Sequence, residues 1–136
     1  MASLSSIRDG LATNLATISG LRTHATFPAD ISPPAAAVVP ASPAILREAM
    51  ARGVMRYRFK VTLVVSRASD RAGQDRLDAY LASTGADSVW VAIESDRTLG
   101  GAAHDTHVVE CSNYGEMTWA NTSYLAAEFE VEVLAK

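Results

Sequence analysis

From Arg56 to Ser66 the chain reads RYRFKVTLVVS, with Tyr57, Phe59, Val61, Leu63 and Val65 on every second position. Arg56, Arg58, Lys60, Thr62 and Ser66 fall between them, and Val64 is the single apolar intruder. A period of two over that length predicts a β-strand with one buried face. AEFEVEV, from Ala127 to Val133, repeats the period with the opposite charge: Phe129, Val131 and Val133 alternate with Glu128, Glu130 and Glu132. Placed antiparallel, with Arg56 opposite Glu132, Arg58 opposite Glu130 and Lys60 opposite Glu128, every cation faces a carboxylate. Such cross-strand pairs contribute roughly 0.2–1 kcal/mol each. The two segments therefore read as neighbouring strands at the centre of one sheet.

The period changes elsewhere. Leu4, Ile7, Leu11, Leu15 and Ile18 recur at three and four, which predicts an amphipathic helix capped by Ser3 and stopped at Gly20. Gly10 costs that helix up to about 1 kcal/mol, so it needs a packing partner. LRTHATF (21–27) alternates loosely as a strand, and a proline-bearing connection (28–34) leads to a short strand at Ala35–Val39, limited by Pro40 and Pro43. Ile45, Leu46, Ala49 and Met50 have helical spacing in an excursion at about 41–55. Its Arg47, Glu48, Met50 and Arg52 are the candidate partner-facing residues, because loops on rigid scaffolds carry recognition. A second helix is expected from about Asp70 to Thr84, capped by Ser69 or Asp70 and closed by Gly85. Residues 87–95 fit either a strand or a short helix capped by Asp87 or Ser88, and Trp90 is accordingly core residue or surface anchor. Gly100-Gly101 opens a turn, His107–Ser112 reads as a strand, Asn113-Tyr114-Gly115 as a turn, and Ala126–Leu134 as the last strand. Strand runs interrupted by helices, without βαβ alternation, point to one α+β domain over 1–136. Its mostly antiparallel sheet of four to five strands is packed by an N-terminal and a central helix.

Composition narrows the classes. At 136 residues, 49% hydrophobic and 20% charged, the chain can bury one moderate core and is not of disordered type. A net charge of −3 argues against grip on nucleic acid through phosphate neutralisation, even with Arg56, Arg58 and Lys60 in a stripe. The lone Cys111 excludes an internal disulfide, and no apolar run is long enough to span a bilayer.

Candidate chemistry is sparse. His104-Asp105-Thr106-His107 offers metal-ligand types but no four-ligand set, so no metal or other cofactor is expected. Cys111 sits mid-strand, no serine occupies a GxSxG elbow, and Gly100-Gly101 lacks the spacing of a phosphate cradle. Glu128, Glu130 and Glu132 could be an acid/base cluster, but their period and the matching cationic strand favour pairing. The residues predict no enzyme.

Asp96-Arg97-Thr98-Leu99-Gly100-Gly101 gives a D-x-TLGG element, followed by a strand, NYG at 113–115 and YLAAEFEVEV at 124–133. With the N-terminal helix and the segment GLRTHATFPADISPPAAAVVP before it, this order from Ile7 to Val133 resembles the tail terminator proteins of long-tailed bacteriophages. Ala126-Ala127 stand where that family often has a glycine. The resemblance implies a non-enzymatic virion protein, assembled in the host cytoplasm and located at the head-proximal end of the tail. It implies a homohexameric ring that caps the tail tube, stops its polymerisation and presents the surface that joins the head. Its partners would be itself, the tail tube protein and a head-completion or connector protein, with DNA passing through the lumen without specific binding. In a ring, the charged stripes could pair within a subunit or across a boundary, or the acidic one could face the lumen. A head–tail adaptor is the nearest alternative, and a small ligand-binding α+β domain is the alternative from another class.

Overall fold

The computed structural model describes residues 3–26, 34–47, 53–67, 72–119 and 121–135. Helix α1 (Leu4–Leu15) begins where the Ser3 hydroxyl accepts the Ser6 backbone N–H at 3.1 Å, the expected cap. It ends five residues before Gly20, because the chain turns at Ala16 and only later uses the positive φ of Gly20. Strands β1 (Arg22–His24), β2 (Ala35–Arg47) and β3 (Met55–Arg67) follow, then helices α2 (Gly73–Leu81) and α3 (Val89–Ile93). A single 3₁₀ turn (Leu99–Gly101) leads into β4 (Asp105–Trp119) and β5 (Thr122–Ala135). The strands form one mixed sheet in the order β1-β2-β3-β5-β4. Among the described residues only β1–β2 is parallel, and the other three pairs are antiparallel. This is the α+β arrangement expected, with β3 and β5 adjacent and the N-terminal and central helices in place.

Several boundaries differ from the periodic reading, each for a backbone reason. Pro40 and Pro43 do not end β2. Between the pairs Pro40↔Phe59 and Ile45↔Tyr57 the strand carries extra residues, and that bulge takes up the missing donors. Ile45 to Arg47 therefore pair with Tyr57 to Met55 instead of forming a helix, and the hairpin runs flush with the end of β5 at Ala135. Of the expected excursion at about 41–55, residues up to Arg47 belong to β2 and Met55 begins β3, while 48–52 lie outside the described residues. Asn113-Tyr114-Gly115 is not a turn but a bulge within β4, with Asn113 at φ 54° and Gly115 at φ 148°. The hairpin reverses instead at Trp119–Thr122, where Asn121 has φ 65°. Helix α2 stops at Leu81, where Ala82 turns extended, before Thr84 and Gly85; the proposed caps Ser69 and Asp70 lie outside the described residues. Within 87–95, Val89–Ile93 is helix, with Ser88 accepting the Val91 N–H at 3.3 Å.

The three described α-helices pack on one sheet face. Ile7, Leu11, Leu15 and Ile18 of the N-terminal segment meet Leu77, Tyr80, Val89 and Ile93 over Phe59, Val61, Leu63, Phe129, Val131 and Val133. The indole of Trp90 lies edge-on to Phe129 at 5.5 Å and donates its N–H to the Leu81 carbonyl at 3.0 Å, so it is both core residue and helix tie. Asn14 is buried in α1, and its amide donates to the carbonyls of Ile93 (2.9 Å) and Asp96 (3.0 Å), fixing the end of α3 to α1. Gly10 is the packing partner's doorway: a Cβ there would stand 2.7 Å from Leu99 Cβ.

Candidate interaction surface

The face of the sheet away from the helices carries the charges. Its end near Val64, Tyr124, Ala126 and Met117 is a small apolar cluster, and its other end is the ladder. The register is two residues away from the expected one. Arg58 stands opposite Glu132, Lys60 opposite Glu130, and Thr62 opposite Glu128. The ion pairs nevertheless join the expected side chains along the diagonal. Arg56 meets Glu132 at 3.2 Å, and the Arg58 guanidinium lies against the Glu130 carboxylate. Diagonal neighbours on a sheet are within reach of long side chains, and an arginine spans that distance easily. The third pair does not form. The Asn113 amide donates to Glu128, and Lys60 has no carboxylate partner among the described residues. Glu132 also approaches His107 Nε2 at 3.8 Å, so all three carboxylates tie β5 to a neighbouring strand: Glu130 to β3, Glu128 to β4 and Glu132 to both.

The ladder residues are drawn together as a group, whereas the other candidate set is not. Arg47 is an exposed strand residue opposite Met55; Glu48, Met50 and Arg52 lie outside the described residues. Beside Arg47, Ile45 and Leu46 are large exposed apolar side chains, on opposite faces of β2 by strand alternation. Their spacing in the sequence is helical, but pairing with β3 makes them strand residues, and both are exposed.

The D-x-TLGG element is a structural device. The Asp96 carboxylate accepts the Thr98 N–H (3.1 Å) and hydroxyl (2.7 Å) on one oxygen and the Gly100 N–H (2.9 Å) on the other. Those bonds hold its carboxyl below the usual carboxylate range, the Thr98 hydroxyl contributing most. The turn they make needs φ of 68° at Gly100 and 99° at Gly101, and it drives the buried Leu99 against Gly10. A cleft of about 550 Å³ lies between this turn and α1, lined by Asp9, Thr13, Asn14 and Asp96 among others. Both Asp96 oxygens and the Asn14 amide are committed to backbone partners, so the cleft presents few free groups to a small ligand.

The remaining candidates have local partners. Arg97 donates to Asp105 through Nε (2.6 Å) and Nη2 (3.2 Å) and approaches Glu94 at 3.3 Å, joining the turn to the start of β4. That bidentate hydrogen bond lowers the Asp105 pKa. His104 uses its backbone N–H on the Leu134 carbonyl at 2.7 Å. Cys111, opposite Phe129, is half-buried against the core, and burial raises its thiol pKa. The β4 bulge turns Tyr114 toward α2, where its hydroxyl takes a hydrogen bond from Gln74 and donates one to Asp78. Only the bulge puts Tyr114 there, and periodicity carried no signal for it. Searches of protein-family models and of curated proteins find no match to this chain.

Proposed function

We propose that this protein is a structural component of a phage virion of the tail-terminator type: a subunit that closes a ring on the finished tail tube, halts its growth and offers a surface to the head. The observation that carries the reading is the sheet face on which no helix packs among the described residues. A catalytic domain of this size normally spends its best-ordered surface on a cleft with a few convergent polar groups. Here the charged sheet face is left open by the described helices, and Arg56 and Arg58 on it are held by carboxylates. With its arginines paired and Glu110 exposed, that face attracts phosphate weakly, which suits a wall past which DNA must slide. The order of elements, from the capped helix through the D-x-TLGG turn to the terminal hairpin, supports the same assignment.

The test is assembly. Purified protein is sized by light scattering, imaged in negative stain, and mixed with tail tubes that lack a cap. Rings of six-fold symmetry seated on tube ends, with tube elongation arrested, support the proposal. Tubes that keep growing and carry no added density overturn it. Rings that ignore tubes but bind head-side connectors would transfer the protein to the adaptor class.

A further inference from the structure

The charges of the sheet are segregated by strand. Strands β1, β2 and β3 carry Arg22, Arg47, Arg56, Arg58, Lys60 and Arg67, and no aspartate or glutamate. Strands β4 and β5 carry Asp105, Glu110, Glu116, Glu128, Glu130 and Glu132, and no lysine or arginine. The two halves meet at the β3–β5 seam, where the internal ion pairs lie. Away from the seam one side of the sheet is cationic and the other anionic. Arg47, Lys60 and Arg67 on the first, and Glu110 and Glu116 on the second, have no ion-pair partner among the described residues.

A second observation falls on the same two places. Six large apolar side chains are exposed among the described residues, and four of them sit on the sheet's edges. Ile45 and Leu46 flank Arg47 on β2, whose outer edge β1 covers only from Ala35 to Ala37. Val109 and Tyr114 flank Glu110 and Glu116 on β4, the opposite edge. Each edge thus presents two apolar residues beside an unmatched charge, and the signs are opposite. Two like edges brought together would oppose like charges, so a two-fold dimer through either edge is disfavoured.

We infer that copies of this chain associate head to tail, the β4 edge of one around Val109 and Glu110 against the β2 edge of the next around Ile45, Leu46 and Arg47. Such a contact joins unlike surfaces and propagates until it closes into a ring. It runs through side chains more than through an added strand. Bulges at Val109 and at Asn113–Tyr114, and Pro40 and Pro43 on the other edge, interrupt the backbone ladder that strand addition would need. The inference rests on the ring reading only for closure; the choice of edges comes from charge and exposed apolar surface.

The experiment reverses one charge on each edge, at exposed positions. Sedimentation velocity is run on full-length wild type, Arg47→Glu, Glu110→Arg, the double variant, and a 1:1 mixture of the two single variants. Each is measured at the highest soluble concentration in low and in high salt, with urea unfolding as the check on each fold. Wild type should assemble in low salt and dissociate in high salt, because exposed charges are screened beyond about 10 Å. Each single variant should stay monomeric while unfolding like wild type. Mixing them should restore assembly, since the carboxylate introduced on the β2 edge of one then meets the guanidinium introduced on the β4 edge of the other. The double variant should assemble alone. Wild type that remains monomeric in low salt overturns the inference, as do single variants that assemble like wild type or a mixture that stays monomeric. Should assembly follow these rules while tube growth continues uncapped, the edge contact stands and the proposed function fails. Rings that cap tubes despite either reversal leave that function standing and remove this contact.

Discussion

Phe129 and Glu130 are consecutive residues of β5 with opposite fates, and the two faces they belong to make the molecule's most informative comparison. Phe129 is fully buried beneath the indole of Trp90, in a layer built by three helices. Glu130 keeps 16% of its side chain exposed on a face where no helix packs among the described residues, and it is held by one arginine. Strand geometry supplies both directions equally, so the difference lies in what covers each face. The helical face gains its stability from area removed from water. The charged face gains specificity of register, and its free energy is a small difference between attraction and desolvation.

The largest effect expected from breaking this comparison is on the covered side. Phe129→Ala removes a fully buried ring that Trp90 and the sheet cannot collapse to replace, and the loss should be about 3–5 kcal/mol in urea unfolding. A loss under about 1 kcal/mol would mean that the helices do not depend on that layer. Gly73→Ala tests the same layer by overfilling. The new methyl group would overlap the Ser66 hydroxyl and crowd Leu125 at 2.9 Å, where α2 closes on β3 and β5. Overpacking of that kind costs about 1–3 kcal/mol, against a helix-propensity gain near 1 kcal/mol. A stabilised Gly73→Ala protein would show that α2 can slide outward freely.

On the uncovered side the numbers should fall. Arg58 and Glu130 retain 23% and 16% of their side-chain exposure, between the surface and buried regimes. Arg58→Ala and Glu130→Ala should each cost about 1–2 kcal/mol, and the double-mutant cycle should return a coupling near 1 kcal/mol in the monomer. Zero coupling, with assembly lost instead, would place the pair's role between subunits.

The faces were legible in the sequence because parity is a property of the strand, and Tyr57 to Val65 and Phe129 to Val133 fall where alternation puts them. The register was not, because matching charges directly opposite one another ignores how far an arginine leans. Arg56 finds Glu132 although its backbone partner is Leu134. Non-local geometry hid the rest. Pro40 and Pro43 look like a strand end until the partner strand shows a bulge, and Asn113-Tyr114-Gly115 has turn chemistry used to insert one residue. Gly10 looked like a helix defect until Leu99, almost ninety positions later, filled the space its missing side chain leaves. Of the candidate interface, Arg47 was named from the sequence. Ile45 and Leu46 were misplaced on a helix, and Val109 and Glu110 carried no pattern that set them apart.

The smallest effect is expected from Asp96, which is solvent-exposed and touches neither sheet face, yet fixes the turn that seats Leu99. Its folded pKa lies below the ordinary value of 3.8, chiefly through the Thr98 hydroxyl and then the Gly100 N–H. A carboxylate depressed in this way contributes stability that is fully present above the unfolded value, and that is lost as pH falls through the folded one. Asp96→Asn should therefore be slightly less stable than wild type at neutral pH, because a neutral amide accepts those bonds more weakly. The gap should close on acidification below about pH 4 and vanish once the wild-type carboxyl is protonated. Asp105, whose pKa Arg97 lowers, titrates in the same window in both proteins and leaves a shared slope. Urea unfolding of the pair across that range reads the difference directly. Parallel stability curves from neutral pH into the acid limb would show that the Asp96 charge does not hold the turn, and that Leu99 stays against Gly10 through packing alone.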